Sequence, residues 1–530
     1  MKCLVVAPRT VNYTGEYYEF PLGLAYISAS LKRAGFDVSC LNLNHHSEVE
    51  KDIATQNADI IFTGGLSIHY PQIERVLIMS KKVGAKTVLG GGILSSNPRL
   101  VMNTLKPDYG VLFEGEETVV KLATTLEGCQ DVKNVRGIVY HEEGKICFTK
   151  PRKPISNLQS IPFADYEGLE ADKYLELQMT NDSHFLYPFD YPRMLPIISS
   201  RSCPYSCTFC FHPLGNKYRV RSLDAFFREL GILQDRFKIN IALVYDELFA
   251  LNTTRLNDFV RRIKRTGLKW ITQLRVDAKL TSSFMRKLKE SGCICLGYGL
   301  ESASDTILES MKKHTTVYQM EKALELTWKS NIGIQGNFIF GDVAESEETV
   351  GETLNWYKQH RNYQVELSPI YVYAGTYLYE VAKQHGLVKD ELAFQKQKYP
   401  LVNVSRLSDK RFHKLQLELT MLNMETRKHY TGRVLQAKKV GRSSKGDVYD
   451  LKVECPFCHF INHYGRFNID VAQTLSVAGS RTACRNCNQR LSIFLPSLFS
   501  KILNIFPFKI NWFASRVRRK FHQKLRGLKN

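Results

Sequence analysis

Cys203, Cys207 and Cys210, in Arg-Ser-Cys-Pro-Tyr-Ser-Cys-Thr-Phe-Cys, put three thiolates on one short loop at C-x3-C-x2-C spacing. Thiolates so close together suit a zinc ion or an iron–sulfur cluster. A cubane cluster ordinarily takes four cysteines, yet the next in the chain is Cys293. Three ligands leave one iron open, and an open position is where metal chemistry happens. A structural zinc knuckle or three unrelated core cysteines is the other reading of the spacing, but structural sites are usually closed. A second group, Cys455-Pro-Phe-Cys458 and Cys484-Arg-Asn-Cys487, offers four thiolates as paired C-x2-C with 25 residues between the pairs. That is zinc-ribbon spacing, slightly long, and four thiolates close a tetrahedral site. A rubredoxin-type iron or an auxiliary cluster is the alternative. His459 and His463 are expected at the surface, since four cysteines suffice.

These residues need elements to hold them. The run Leu195–Ser200 reads as a buried strand feeding the three-cysteine loop, the first of six β-like runs separated by helical stretches between residues 195 and 390. The others are Ile241–Asp246, Trp270–Arg275, Cys293–Leu300, Gly333–Phe340 and Glu366–Val372. This rhythm fits a partial (β/α)6 barrel, whose function sits at the carboxyl ends of its strands. Asp246 and Glu247 close the second strand, Arg275 the third, Glu301 and Ser302 the fourth, and Gly341 the fifth. Acids also favour helix starts, so Asp246 and Glu247 have a bland reading too. Cys293 and Cys295 share one face of a strand and read as core.

Residues 1–125 alternate in the same way: Cys3–Pro8, Asp37–Leu43, Ile60–Gly64, Lys86–Leu89 and Tyr109–Phe113 are apolar, and Leu22–Ala34 and Pro71–Val83 carry helical spacing. A doubly wound parallel sheet is expected, with its ligand beyond the carboxyl ends of the strands. Gly64, Gly65 and Ser67 form one turn there, and Gly90, Gly91 and Gly92 another. Glycine lets backbone approach a ligand, although tight strand–helix packing explains it nearly as well. Residues 126–194 read as a connector that opens on a hairpin, Gly137–Tyr140 with Lys145–Thr149; residues 391–450 read as a helical extension, and 451–495 as the ribbon.

The triad with an aromatic, Phe209, just before its last cysteine resembles the signature of the radical S-adenosylmethionine enzymes. Tyr-Gly-Leu-Glu301-Ser302 resembles the family's Gly-x-Glu-Ser segment, and Gly336 to Glu345 its fifth strand in an approximate register. Pro369 to Thr376 is similar to its sixth, with Ala374 in place of a proline. In the N-terminal half, Phe20 to Val38, the Gly90–Gly92 turn and Asp108 to Glu117, with Glu114 and Gly115, resemble the cobalamin-binding domain that precedes many such barrels. The Asp-x-His-x-x-Gly motif that offers a histidine to cobalt elsewhere is absent, so the resemblance implies cobalamin without a histidine ligand; a domain that has lost cobalamin is the alternative. It also implies a 4Fe–4S cluster on Cys203, Cys207 and Cys210. S-adenosylmethionine would lie against Phe209, Asp246, Glu247, Arg275, Glu301, Ser302 and Gly341. Cobalamin would lie on Gly64, Gly65, Ser67, Gly90, Gly91, Gly92, Glu114 and Gly115. An external one-electron donor such as flavodoxin or ferredoxin would reduce the cluster. In the family, reductive cleavage of S-adenosylmethionine yields a 5′-deoxyadenosyl radical, and methylcobalamin can then methylate the substrate radical. The expected activity is therefore C-methylation of an unactivated carbon. Cyclisation, modification of RNA or protein, and a non-catalytic cobalamin sensor are the other readings.

Composition narrows the setting. The 530 residues allow about three domains, and the N-terminus is expected to be a first strand rather than a signal peptide. Seven of the thirteen cysteines fall in metal-spaced groups, which argues for a reducing, cytoplasmic compartment. The net charge is +21, and residues 501–530 hold nine Lys and Arg but no acid, so the excess is a tail rather than a uniform nucleic-acid surface. With its Phe, Leu and Trp512, the tail 496–530 suits an anionic membrane surface; a solvated basic tail or a helix docked on the ribbon is the other reading. The expected substrate is a small or lipid-like molecule.

Overall fold

A computed structural model describes residues 1–10, 19–46, 48–180, 188–249, 252–443, 446–469 and 480–495. The basic tail lies outside the described residues. In the N-terminal domain the five apolar runs form β1 (Lys2–Ala7), β2 (Asp37–Asn42), β3 (Ile60–Gly64), β4 (Lys86–Gly90) and β5 (Tyr109–Val111), followed by β6 (Ile138–Glu142) and β7 (Lys145–Phe148). The sheet order is β2-β1-β3-β4-β5-β6-β7, with the first five strands parallel. Helices Leu22–Arg33, Tyr70–Lys82 and Glu116–Glu127 cover it. The hairpin forms, but it extends the sheet: Tyr109 pairs with Tyr140 and Val111 with Ile138, antiparallel. Ile138, Val139 and Tyr140 are buried in succession, so both faces are covered and no alternation marks the run as part of the domain.

Next come β8 (Met194–Ile197), β9 (Ser200–Arg201), β10 (Arg219–Val220), β11 (Ile241–Val244), β12 (Lys269–Leu274), β13 (Cys293–Glu301), β14 (Gly333–Phe340) and β15 (Glu366–Pro369). Six of them make one parallel sheet in the order β15-β14-β13-β12-β11-β8, the expected partial barrel. The other two, β9 and β10, are a two-residue antiparallel ribbon at the base of the three-cysteine loop.

Beyond the barrel, helix Asp409–His429 packs on β15. The expected helical extension ends there. β16 (Arg433–Ser443), β17 (Gly446–Glu454) and β18 (Ile461–Ile469) form an antiparallel meander, and β19 (Ser480–Ala483) pairs with β20 (Arg490–Ile493). The meander escapes a sequence reading because β16 is exposed along most of its length and two bulges break its alternation.

This C-terminal module seats under the amino ends of the barrel strands. Asn488 Nδ2 donates to Asn331 O at 3.0 Å, Gln489 Nε2 to Ile332 O at 2.9 Å and Arg490 Nη2 to Ile334 O at 2.5 Å. A Cβ on Gly333 would lie 2.7 Å from Asn488 O. Phe457 wedges edge-on to Trp328 and stacks on Tyr430. Glu366, the first residue of β15, pairs with Arg427 at 3.0 Å and with Arg481. Against the burial that would raise it, Arg427, Arg481 and Arg490 hold the Glu366 carboxyl well below the usual carboxylate range. Removing one partner of such a network strands the others. Glu366→Gln should therefore lower stability by about 3 kcal/mol and speed hydrogen exchange at the amino ends of β14 and β15, as thermal unfolding and exchange mass spectrometry would show.

Candidate functional site

The three-cysteine loop, residues 202–218, has little secondary structure of its own and is gripped from outside. Thr208 donates its N–H to Met311 O at 3.1 Å, Leu378 donates to Thr208 O at 3.2 Å, and the Cys207 thiol points at Lys312 O at 3.7 Å. The Arg275 guanidinium lies 3.6 Å from the Tyr205 ring centroid, pairs with Asp277 at 3.0 Å, and donates to Lys313 O and His314 O. Arg275, expected at the cofactor, thus braces the loop. Among the described residues, a group of three or more metal-type ligand atoms within 4.8 Å of one another occurs only at the four C-terminal cysteines. The sulfurs of Cys203, Cys207 and Cys210 do not all lie within that distance of one another. Burial raises the Cys203 thiol. The hydrogen bond with Cys210, aided by Lys313, pulls the Cys207 thiol down.

At the rim, Glu301 ends β13 with φ 63° and meets Lys313, Oε1 to Nζ, at 2.7 Å. Lys313 Nζ lies 5.9 Å from the Phe209 ring centroid, and a Cβ on Gly299 would strike both Lys313 and Glu301. Against the burial that would lower it, Glu301 holds the Lys313 ammonium above its ordinary value. The structure thus gathers Phe209, Glu301 and Lys313 over the cysteines. Lys313 was not legible in the sequence, since Met-Lys-Lys in a loop carries no pattern. Glu247, next to Asp246, lies within electrostatic reach of Arg219, Arg201 and Cys203, and burial raises its carboxyl.

Three other expected contacts serve the backbone instead. Asp246 is buried and accepts from Ser199 N (2.6 Å), Ser199 Oγ (2.6 Å) and Ser200 N (3.1 Å), tying the end of β11 to β9. Ser302 Oγ bonds Thr353 Oγ1 and receives the Ser304 N–H, so it fixes a turn rather than capping a helix. Gly341 (φ 114°) lets the end of β14 pass Phe412, which a Cβ would approach to 2.8 Å. Its N–H donates to Glu345 Oε2 at 3.2 Å.

The glycine turns of the N-terminal domain touch backbone to backbone. A Cβ on Gly64 would lie 2.7 Å from Gly90 O, and one on Gly91 (φ 84°) 2.8 Å from Gly65 O. Gly92 and Gly375 both abut Phe211, the residue after Cys210; a Cβ on Gly375 would come within 2.6 Å of its ring. Ser67 opens the one-turn helix Ser67–His69, and Gly115 precedes helix Glu116–Glu127. Leu66 and Phe113 stand 52% and 50% exposed at the ends of β3 and β5. Glycine-lined backbone between exposed apolar side chains fits a broad, flat macrocycle such as a corrin. Glu114 is not free for it: its carboxylate is buried between Arg201 and Arg219.

The four C-terminal sulfurs pair at 3.8 Å (Cys455–Cys487) and 3.7 Å (Cys458–Cys484). A tetrahedron with metal–sulfur bonds of about 2.3 Å has edges of about 3.8 Å, so the four fit one ion and are too close for a cubane. His459 pairs with Glu454 and His463 with Asp450, away from the sulfurs.

Comparison with known proteins gives a consistent answer. The B12 binding domain family matches residues 8–123 and the radical SAM superfamily residues 197–357. An uncharacterised methyltransferase of Pyrococcus horikoshii is 31% identical over 407 residues, covering 73% of this chain and 84% of the relative. The anaerobic magnesium-protoporphyrin IX monomethyl ester cyclase of Rubrivivax gelatinosus is 27% identical over 369 residues, 66% of this chain and 63% of its own length. The solved radical S-adenosylmethionine methyltransferase TsrM of Kitasatospora setae, with cobalamin and a 4Fe–4S cluster bound, shares the fold at TM-score 0.60 and 17% identity, over 72% of this chain and 78% of that one. OxsB with aqua-cobalamin bound superposes at TM-score 0.57 and 19% identity, over 77% and 58%.

The buried Glu345 carries a pH signature. Burial pushes its carboxyl up to about 7, although Thr349 Oγ1 donates to it at 2.6 Å. Its folded value lies above the unfolded one, so the fold holds a proton that the unfolded chain releases, and stability falls as pH rises from about 4.5 to about 7. Glu345→Gln should remove about 3 kcal/mol of that fall. The measurement is the difference in unfolding midpoint between variant and parent at pH 5 and pH 8.

Proposed function

Because the chain belongs to the radical S-adenosylmethionine superfamily, in the branch that carries a cobalamin-binding domain, we propose that it methylates an unactivated carbon of a small molecule. It is an enzyme of the cobalamin-dependent radical S-adenosylmethionine methyltransferase family. The observation that carries the reading is the contact at Phe211: the residue after Cys210 packs against Gly92, so the cysteine loop and the glycine turns share one crevice.

Cys203, Cys207 and Cys210 would hold the 4Fe–4S cluster, and Cys455, Cys458, Cys484 and Cys487 a zinc. S-adenosylmethionine would lie against Phe209, Glu247, Glu301 and Lys313, and cobalamin over Gly65, Gly91, Gly92, Leu66 and Phe113. When bound, these groups supply one-electron cleavage to a carbon radical and a transferable methyl group. The chain's own part is to orient and to exclude water. Lys313 offers a charge to a carboxylate, Glu301 and Glu247 offer acceptors to hydroxyl and ammonium groups, and the Phe209 face suits a heteroaromatic ring. The crevice between barrel and N-terminal domain keeps a reactive carbon from bulk solvent.

Ring closure is the second reading, since the Rubrivivax relative is named a cyclase. Macromolecular substrates are disfavoured by the ribbon: it sits at the amino ends of the strands, while the cysteine loop lies at the other end of β14, about 25 Å away. An external electron donor is part of the proposal. Among the described residues no helix is long and apolar enough to cross a membrane.

Protein purified and reconstituted without oxygen should hold about four irons and about one zinc, and should take up hydroxocobalamin with a bound corrin spectrum. Metal without corrin uptake would leave a radical enzyme and overturn cobalamin-dependent methylation. Lys313→Met should weaken S-adenosylmethionine binding about tenfold or more with iron content intact. The change it induces in the electron paramagnetic resonance (EPR) spectrum of the reduced cluster is the readout.

A further inference from the structure

The two strands that open and close the cysteine loop carry facing arginines. Arg201, two residues before Cys203, is the register partner of Arg219 across the β9–β10 ribbon. Both side chains are buried, and two buried guanidiniums side by side are tolerated only when neutralised. The barrel does not supply the acids. The N-terminal domain does: Arg201 Nη1 meets Glu114 Oε1 at 3.0 Å, Arg201 Nη2 meets Glu116 Oε1 at 2.5 Å, and Arg219 Nη1 meets Glu114 Oε2 at 2.7 Å. All four charges are out of water and balance two against two.

The same groups tie in two further segments. Arg219 Nη2 donates to Ser202 Oγ at 3.0 Å, and Ser202 holds φ 68°, a costly backbone for a residue with a side chain, immediately before Cys203. Ile155 donates its N–H to Glu114 Oε2 at 2.7 Å and accepts from Arg219 at 2.8 Å, so the connector is clamped as well. Glu114 and Glu116 flank Gly115, beyond β5, on the rim that carries Leu66 and Phe113.

We infer that Glu114, Glu116, Arg201 and Arg219 are positioning residues: a buried ion-pair network that sets where the three-cysteine loop stands relative to the N-terminal domain. The inference rests on the cluster and cobalamin assignments above for its purpose, and on the cluster for the distance measurement, but not for the exchange measurement that also tests it. Loosening the network leaves all three cysteines and the glycine turns in place and relaxes the distance between them.

The test uses the full chain with its cluster reconstituted and a nitroxide on Cys129, the exposed cysteine among those described, which follows helix Glu116–Glu127. Pulsed dipolar EPR reads the separation of label and reduced cluster, with or without cobalamin. The parent and Glu117→Gln, whose surface carboxylate pairs with Arg152, should give the same narrow distribution. Glu114→Gln and Glu116→Gln should widen it about twofold with iron content unchanged, and Arg219→Lys should retain more of the narrow form than Arg219→Met. If Glu114→Gln does not fold, Glu116→Gln, which keeps the central carboxylate, carries the comparison. Amide exchange over residues 199–221, measured in apoprotein, should be faster in these variants and reads the network even if no cluster is taken up. Distributions and exchange superimposable on the parent overturn the inference. Absence of corrin uptake in the parent overturns the proposed function and leaves this result readable.

Discussion

A loop that would hold metal at an open position, as proposed for Cys203, Cys207 and Cys210, cannot also wrap itself in regular structure, and the packing around it follows from that constraint. Between Ser202 and Tyr218 the chain has only the two-residue β9–β10 ribbon to define its ends. Its shape is imposed by neighbours: the Arg275 guanidinium on Tyr205, the backbone of Met311 and Leu378 on Thr208, and Gly92 and Gly375 against Phe211. Each comes from the segment that follows a strand, in one sheet or the other. Parallel sheets bring such ends together on one side of the molecule, which is why two separate α/β units can build a single crevice.

The opposite end of the barrel is treated in the opposite way. There the thiolates and the main charged groups close on one another. Four thiolates face one another at tetrahedral spacing, Glu366 is enclosed by arginines, and backbone carbonyls at the start of β14 are capped by side chains of the ribbon. An open barrel of six strands lacks the hydrogen-bonded closure of a full one, so its floor is where extra covalent or ionic bracing gains most. A ribbon seated there has its sulfurs pointed away from the rim. Of the roles open to such a module, stiffening is the one the contacts support.

Local chemistry was legible in the sequence and long-range chemistry was not. The two cysteine groups, the six barrel strands and the five parallel strands of the first domain depend on spacing and periodicity within a few residues. The arginine–glutamate network joins positions 87 and 105 residues apart, and nothing in either segment announces the other. Glu114, Asp246, Ser302 and Gly341 illustrate the cost of that blindness. A polar residue or a glycine at a strand end looks the same whether it faces a ligand or a neighbouring segment, and here each meets another part of the chain. Glu301, of the same type and in a like position, lies instead with Lys313 beside Phe209. Direction, not identity, separates the two sets, and direction is set by which loops pack alongside.

Lys313 shows how charge is arranged at the site proposed for cluster and cofactor. Its ammonium is satisfied by Glu301 at 2.7 Å, and Arg275 by Asp277 at 3.0 Å, so neither cation is stranded. Both nevertheless favour the ionised form of Cys207. A lysine can serve a carboxylate and a thiolate at once, because its ammonium is a compact charge on a flexible stem with three donors; the planar fork of an arginine would commit it to one partner. The arginine is used where commitment is wanted, flat on Tyr205. The carboxylate of an incoming ligand can then share Lys313 with Glu301 without any buried charge being left alone at any stage, which is the condition for a low-dielectric pocket to fill and empty reversibly.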